Sequence, residues 1–187
     1  MAIAKLEIDA TQIDHLGELF RMARHRAPRA IGRAVRRTGD MTKTRVIRTL
    51  VKQTGLKRRV IVKAVKARPA VETYTLLTRG GDVSLKYFGA RETRRGVSAA
   101  PWNKRRVFSG TFTRGGRFPH RVPLDLGGHV YARSGRGRLP IVKQKSGLFI
   151  PKEMVSGASK ASFLNTVRTV LPVRLRHEIA RILGGAG

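Results

Sequence analysis

The chain has 187 residues and carries 40 lysines and arginines against 11 aspartates and glutamates, which gives a net charge of +29. One domain of this length buries roughly 70% of its extended-chain surface, and a hydrophobic fraction of 41% is well above that of a disordered basic tail. Without cysteine the composition excludes disulfides and thiolate chemistry, and residues 1–187 are predicted to form one α+β domain.

Residues 1–26 are predicted to form an N-terminal arm in which a strand precedes a helix. In AIAKLEIDA, Leu6 and Ile8 alternate with charged residues, and this period of two is typical of a half-exposed strand. Thr11 with Asp14 resembles a capping box, so we expect a helix to begin there. Four acids of the arm are expected to meet a basic surface of an adjacent subunit, with pairing inside the chain as the alternative. They are Glu7, Asp9, Asp14 and Glu18.

Residues 27–68 are predicted to form basic helices. Pro28 suits the first turn of a long helix, and Gly55 suits its end. The stripe expected to face the core comprises Ala27, Ile31, Ala34, Val35, Thr38, Thr42 and Val46. A second, short helix is expected to begin at Lys57, Arg58 and Arg59. Between residues 21 and 68 there are 17 lysines and arginines but a single acid, Asp40, so this part of the chain concentrates positive charge.

Residues 69–150 are predicted to form antiparallel β-hairpins, because β-branched and aromatic residues alternate with glycine-rich turns. The string TRGG occurs twice, and we expect residues 79–82 and residues 114–117 each to join two strands of a hairpin. Further hairpins are expected within residues 127–151, where glycines separate short apolar runs. The two TRGG copies are therefore interpreted as turns of a folded protein rather than as boxes of a disordered RNA-binding tail.

Residues 151–187 are predicted to form a long C-terminal helix. Its apolar stripe runs through Leu164, Val167, Leu171, Leu175, Ile179 and Ile182. Because the stripe keeps its phase across Pro172, we expect one helix, kinked at the proline, that ends at Gly184.

The excess of positive charge predicts an acidic partner. Nucleic acid is the leading candidate, because its phosphates repeat densely and release counterions when basic side chains replace them. An anionic membrane is the weaker candidate, since no stretch approaches the ~20 apolar residues of a spanning helix. No base-reading motif is visible, so we expect contact with the DNA backbone without sequence specificity. The charge could equally bind acidic neighbouring proteins in an assembly.

Two groups of basic residues are the candidates for facing DNA or a partner, because the ends of elements reach a narrow channel more easily than the middle of a packed helix. The first group is Lys57, Arg58 and Arg59, and the second is Lys104, Arg105 and Arg106 with the hairpin residues Arg114 and Arg117. Helix-face residues such as Arg29 and Arg33 are expected to contact neighbouring proteins or solvent.

No pattern of catalytic residues stands out. The five histidines have no metal-ligand spacing, and no phosphate-binding loop motif is present. His120, Asp125 and His129 form the best local group, but a nuclease site would need the fold to add a further carboxylate. We interpret them as polar loop residues and expect no enzyme activity, no metal site and no cofactor, with a nuclease as the least supported alternative.

Several unusual strings carry a resemblance to a known family. DVSLKYFGARETRRGVSAAPWNKRRVFSGTF, GGRFPHRV, GRLPIVKQKSGLFIPKEMVSG and TGLKRRVIVKAV resemble the prophage minor tail protein Z family of long-tailed bacteriophages, over roughly residues 25–183. The resemblance implies a virion protein that completes the head-proximal end of the tail and takes part in head-tail joining. It implies a ring subunit around the DNA channel, with six copies suggested by the tail's symmetry, and it brings no catalytic residues.

The implied partners are further copies of the chain, neighbouring tail and neck proteins, and the DNA backbone. The implied location is the virion, with the host cytoplasm during assembly. The runner-up hypothesis is a free protein that binds nucleic acid without sequence specificity, and its motivation is the charge alone.

Overall fold

The protein is described here by a computed structural model, which covers residues 2–9 and 27–184. Its α-helices are α1 (Ala27–Thr54), α2 (Arg58–Ala64), α3 (Ile150–Met154) and α4 (Gly157–Gly184). Its strands are β1 (Ala2–Asp9), β2 (Val65–Pro69), β3 (Thr73–Gly80), β4 (Asp82–Ser84), β5 (Arg91–Thr93), β6 (Gly96–Ala99), β7 (Arg106–Ser109), β8 (Thr111–Phe112), β9 (Arg114–Gly115), β10 (Val122–Pro123), β11 (Tyr131–Arg133), β12 (Ile141–Lys143) and β13 (Lys145–Phe149). The predicted α+β class is confirmed.

The two long helices, α1 and α4, pack along each other and bury one stripe each. On α1 the buried stripe contains the predicted residues, of which Ile31 is only half-buried. Its end at Gly55 is also confirmed, because Gly55 has a φ of 75° and its amide donates to the carbonyl of Val51 at 3.0 Å. Helix α4 is continuous through Pro172, as predicted. Leu164 was predicted to lie in its buried stripe, but it is 41% exposed and the neighbouring Phe163 is buried instead.

The sheet that packs against α1 has β3 at its centre, between β1 and β2, and both pairs are antiparallel. Alternate residues of β3 are buried, and these are Tyr74, Leu76 and Thr78. The predicted N-terminal strand is confirmed as β1, in which Ala4 is buried while Lys5 and Glu7 are exposed. Strand β2 occupies residues that the sequence placed among the basic helices, because its pairing with β3 competes successfully with local helix preference.

Helix α1 approaches this sheet closely at Gly39. A Cβ atom there would lie 2.1 Å from Cγ of Tyr74, so the tyrosine ring occupies the space that any larger side chain would need. The Tyr74 hydroxyl donates to Oδ1 of Asp40 at 2.7 Å, which fixes the ring against the helix. Burial, followed by this contact with the Asp40 carboxylate, raises the pKa of Tyr74 well above its usual value, so the phenol is protonated and donates.

The first TRGG copy is not a hairpin turn, so that prediction is wrong. Arg79 and Gly80 are the last residues of β3, and the chain continues into β4 without pairing the two strands. Instead, β3 lies between β1 and β2, and β4 pairs with β13, which is more than sixty residues away in sequence. Residues 85–88, within the segment predicted to form β-hairpins, form a 3-10 turn that buries Leu85 and Phe88.

The second TRGG copy lies in a hairpin, as predicted, but its turn is not at residues 114–117, because Arg114 and Gly115 belong to a strand. Strands β9 and β10 pair with Gly115 opposite Val122, and residues 116–121 connect them. Gly116 has a φ of 90°, a conformation that residues with a Cβ rarely adopt. A further predicted hairpin is confirmed downstream, where β11 pairs with β12 and β11 also pairs with β8.

Candidate nucleic-acid interface

The first predicted basic group lies at the start of α2. Lys57 is the N-cap residue and makes no side-chain capping bond, while Arg58 and Arg59 occupy the first helical turn. All three side chains are exposed. Three positive charges at a helix N-terminus oppose the helix dipole, so this arrangement does not serve helix stability and leaves the charges available to an anion.

The second predicted group, residues 104–106, divides into different roles. Lys104 is exposed. Arg105 is held by the protein itself, since Nη1 donates to Oγ of Ser98 at 3.1 Å and to the carbonyl of Gly89 at 3.4 Å. Arg106 lies over the ring of Phe108, 4.7 Å from its centroid. Arg105 therefore stabilises the turn that carries the group, and its replacement is expected to affect folding as well as binding.

The fold brings the starts of residues 57–59 and 104–106 together at a contact between Gly55 and Asn103, whereas Arg114 and Arg117 lie on the separate β9–β10 hairpin. A Cβ on Gly55 would lie 2.9 Å from the Asn103 amide nitrogen, so the two backbones touch there. Lys57 follows Gly55 by two residues and Lys104 follows Asn103 by one. Because consecutive Cα atoms are ~3.8 Å apart, both basic runs begin within a few residues of the same point. We refer to Lys57, Arg58, Arg59 and Lys104 as the basic rim.

A network of hydrogen bonds fixes this contact. Asn103 donates to the carbonyl of Lys52 at 2.7 Å, in the last turn of α1. The Trp102 indole donates to Glu153 Oε1 at 3.0 Å, and Gln53 donates to Oε2 of the same carboxylate at 2.6 Å. Trp102 and Asn103 both have positive φ, near 51° and 60°. The string APWN, part of the sequence that carries the resemblance, therefore has a physical role in joining α1, α3 and the basic rim.

A second basic surface lies in a groove of about 770 Å³ along α1 and α4. It is lined by Arg33, Arg36, Arg37, Asp40, Met41, Thr44, Arg45, Arg48, Glu178 and Arg181. Arg33 donates to Glu178 at 2.7 Å and Arg45 donates to Thr166 at 3.3 Å, so these two arginines hold the helices together. The sequence predicted that Arg33 would contact neighbouring proteins or solvent. The groove itself was missed, although the spacing of Arg33, Arg37, Arg45 and Arg48 along one helix face points to it.

The hairpin residues occupy two positions. Arg114 is an exposed residue of β9, and Arg117 is exposed in the loop that follows. Near them, Arg121 closes the loop by donating to Glu92 at 2.6 Å. The structure therefore places Arg117 in the connecting loop, as expected, but Arg114, which was expected in the turn, is paired with Pro123 at the base of the hairpin.

Comparison with protein-family models, with curated proteins and with solved structures finds no match. The function must therefore be inferred from the geometry of the described residues and from the resemblance of the sequence strings.

The histidine group considered for catalysis is not assembled into a nuclease-type site. His120 and Asp125 are exposed, whereas His129 is half-buried. Nδ1 of His129 lies 3.0 Å from Oγ of Ser84 and Nε2 lies 3.3 Å from Nζ of Lys86. Burial, followed by the charges of Lys86 and Lys143, lowers the pKa of His129, which favours the neutral ring.

Within the described ranges, 2–9 and 27–184, no group of three histidines or carboxylates is placed to hold a metal ion. No described helix combines the length and apolar character that a membrane span requires.

The acidic residues of the N-terminal arm are described only in part. Glu7 forms an ion pair with Lys5 of the same strand, which is the pairing inside the chain that we considered as an alternative. Asp9 lies opposite Thr73 in the strand register. Asp14 and Glu18 lie outside the described residues, as does the helix expected from Thr11.

The Glu92 carboxylate is expected to make stability depend on acidity. Its burial acts to raise the pKa, but hydrogen bonds from Arg121 and Thr113 and the charge of Arg121 outweigh burial and lower the pKa. The stabilisation is therefore present above the ordinary glutamate value of about 4.3 and is lost as pH falls through the lowered pKa. We expect Glu92→Gln to cost about 1–2 kcal/mol at neutral pH.

Urea unfolding of the wild type and of this variant between about pH 7 and pH 3 measures the effect. The difference in unfolding free energy should shrink as the pH falls. A difference that stays constant over this range would contradict a role for the Glu92 charge.

Proposed function

We propose that this chain is a structural virion protein that completes the head-proximal end of a phage tail and takes part in head-tail joining. In this proposal it is a ring subunit around the DNA channel, in six copies, and its partners are other copies of itself, neighbouring tail and neck proteins, and the DNA backbone. The assignment to a phage tail comes from the resemblance of the sequence strings. The structural observation that supports it is the basic rim, in which four exposed basic residues from two distant parts of the chain lie next to one backbone contact.

The rim supports binding without sequence readout. Its residues begin helix α2 or follow a tight turn, so they present point charges on short segments rather than a helix or ribbon shaped for a DNA groove. Phosphate contacts of this kind position a protein on DNA but carry no sequence information. A channel lining needs this property, since the genome passes through it in every sequence.

The balance of charges also supports a role that depends on a partner. Within the described ranges, the ion pairs involve only Lys5, Arg33 and Arg121 among the basic residues. Among the side chains that the structure describes, the remaining cations have no acidic group within 4.0 Å. Like charges on such a surface weaken self-association, and an anionic partner that neutralises them strengthens it. DNA or an acidic face of a neighbouring ring protein would do so.

The alternative function is a free protein that binds nucleic acid without sequence specificity. It shares the basic surface but predicts a monomer in every condition. An enzyme is disfavoured by the environment of His129, whose ring nitrogens face a hydroxyl and an ammonium group rather than a carboxylate that would orient a general base. We therefore propose no enzyme activity, metal or cofactor.

Mass measurement distinguishes the proposed tail protein from the free nucleic-acid-binding protein. Native mass spectrometry of the purified chain should give a closed oligomer as concentration rises, because each subunit must contact two neighbours to complete a ring. Mass analysis of purified virions should detect the chain at a few copies per particle. A chain that stays monomeric, binds duplex DNA and is absent from virions would overturn the tail proposal and support the free binder.

A further inference from the structure

A small cavity on the β-rich side of the protein is lined by arginine and glycine. It has a volume of about 270 Å³, and five of its lining residues are arginines while none is acidic. These arginines are Arg94, Arg95, Arg114, Arg121 and Arg133. They come from the β5–β6 turn, the second TRGG hairpin and strand β11, so only the fold brings them together. Of these five arginines, only Arg114 was predicted from the sequence to face DNA or a partner.

One of the five is fixed in place by its neighbours. Nη1 of Arg121 donates to Glu92 at 2.6 Å, and its guanidinium lies 5.8 Å from the centroid of the Phe118 ring. Its Nε atom is buried and has no hydrogen-bond partner among the described residues. A buried donor without a partner is destabilising, so the contacts with Glu92 and Phe118 must hold Arg121 in this position.

The charge of Glu92 does not compete for a ligand. Glu92 is not among the residues that line the cavity, and its two oxygens already accept from Arg121 and from the amide and hydroxyl of Thr113. Glu92 therefore orients Arg121 without lining the cavity. Within the described ranges the other four arginines of the cavity have no acidic side chain within 4.0 Å.

One of the glycines, Gly110, allows a ligand to come close to the backbone. Gly96, Gly110, Gly115 and Gly116 all line the cavity. A Cβ on Gly110 would meet nothing within 4 Å, so the backbone there is open to an occupant. Glycine-rich backbone beside guanidinium groups is the chemistry with which proteins hold phosphoryl oxygens.

We propose that this cavity is a binding site for phosphoryl groups. Its volume equals that of about nine waters at ~30 Å³ each, which suits a compact oligophosphate better than a drug-sized ligand. Guanidinium forks match phosphoryl oxygens in pairs, and several forks around one cavity favour an occupant with more than one negative charge. The site goes beyond the proposed function, because a free phosphorylated ligand would bind whether or not the chain forms a ring.

The test is isothermal titration of the full chain with inorganic pyrophosphate in a phosphate-free buffer at physiological salt. Wild-type protein should bind with saturation. The double variant Arg114→Gln/Arg133→Gln should bind about tenfold or more weakly, since each charge-assisted hydrogen bond contributes on the order of the free energy of a tenfold change. Both side chains are exposed, so folding should be retained, and thermal unfolding verifies it.

Arg29→Gln/Arg168→Gln is the matched control, because it removes the same charge from exposed arginines of α1 and α4 that do not line the cavity. It should leave pyrophosphate affinity within about twofold of the wild type. Absence of saturable binding overturns the site, as does an equal loss in the control and the double variant.

Competition with a short thymidine oligonucleotide then separates two sources of the phosphoryl group. Displacement of pyrophosphate identifies a nucleic-acid backbone as the natural source, and lack of displacement identifies a free phosphorylated ligand. Ring formation is measured separately by mass, so failure of this site and failure of the proposed function are distinguishable.

Discussion

Gly39→Ala is expected to destabilise the protein by about 3 kcal/mol, which lowers the melting temperature by roughly 6–12 °C for a chain of this size. The new methyl carbon would stand 2.1 Å from Cγ of Tyr74. The ring has no room to retreat, since Tyr74 is 1% exposed, lies on the central strand β3, and is held by its hydrogen bond to Asp40. Alanine is favoured over glycine inside a helix by about 1 kcal/mol, which is too little to offset this overlap.

Two further variants test whether steric overlap with Tyr74, rather than another effect of the alanine, causes the destabilisation. In a Tyr74→Leu background, which is itself destabilised, adding Gly39→Ala should cost much less than it does in the wild type, because the colliding ring atoms are gone. Gly80→Ala is the control, since a Cβ there meets nothing within 4 Å, and it should change stability by less than about 0.5 kcal/mol. Urea unfolding measures all of these variants. A cost of Gly39→Ala that is the same in both backgrounds would contradict the steric explanation.

Local patterns predicted those elements whose residues act on near neighbours in sequence. Helix α1 ends at Gly55 because one residue with positive φ can stop a helix, and the sequence contains that information. The second TRGG hairpin is of the same kind, since the loop of residues 116–121, which begins at Gly116 with positive φ, joins two strands that are neighbours in sequence. Helix α4 keeps one stripe through Pro172, and a stripe is visible without any tertiary contact.

The first TRGG copy shows where local information ends. Its residues have the same composition as the second copy, yet β3 pairs with β1 and β2 on either side and has no edge left for β4. Pairing of this kind depends on strands that are far apart in sequence, and composition does not encode it. The same reason explains β2, whose residues look helical until β3 is placed beside them.

The candidate sites show the same difference between local and long-range information. Exposure of Arg58 and Arg59 follows from charge at a helix start and was predictable. The role of Arg105 was not, because it requires Gly89 and Ser98 to be placed beside it by two other elements. The arginine cavity draws residues from several separated segments. The sequence alone shows the charge of such a site but not its shape.

Neutralising the basic rim should produce the largest change in DNA binding. In the double variant Arg58→Gln/Arg59→Gln, we expect the slope of log affinity against log salt concentration to fall by about 1.8, since each phosphate contact contributes ~0.9 on duplex DNA. At about 0.1 M salt this corresponds to a loss of affinity of roughly 60-fold. The loss should be equal for all DNA sequences, because phosphate contacts carry no sequence information. Arg105 is unsuitable for this test, since its hydrogen bonds couple binding to folding.

The matched control is Arg29→Gln/Arg168→Gln, which removes the same charge from exposed positions on α1 and α4 that lie outside the rim. Long-range charge alone acts weakly beyond the Debye length of about 10 Å at 0.1 M salt, so the control should change the slope by much less than the rim variant. Equal slopes for the two variants would show that net charge, and not the rim, controls DNA binding. If the rim variant keeps its DNA affinity but heads and tails fail to join in assembly reactions, the rim contacts a neighbouring protein. The channel-facing surface must then be sought in the groove between α1 and α4, where Arg36, Arg37 and Arg48 have no ion-pair partner within the described ranges.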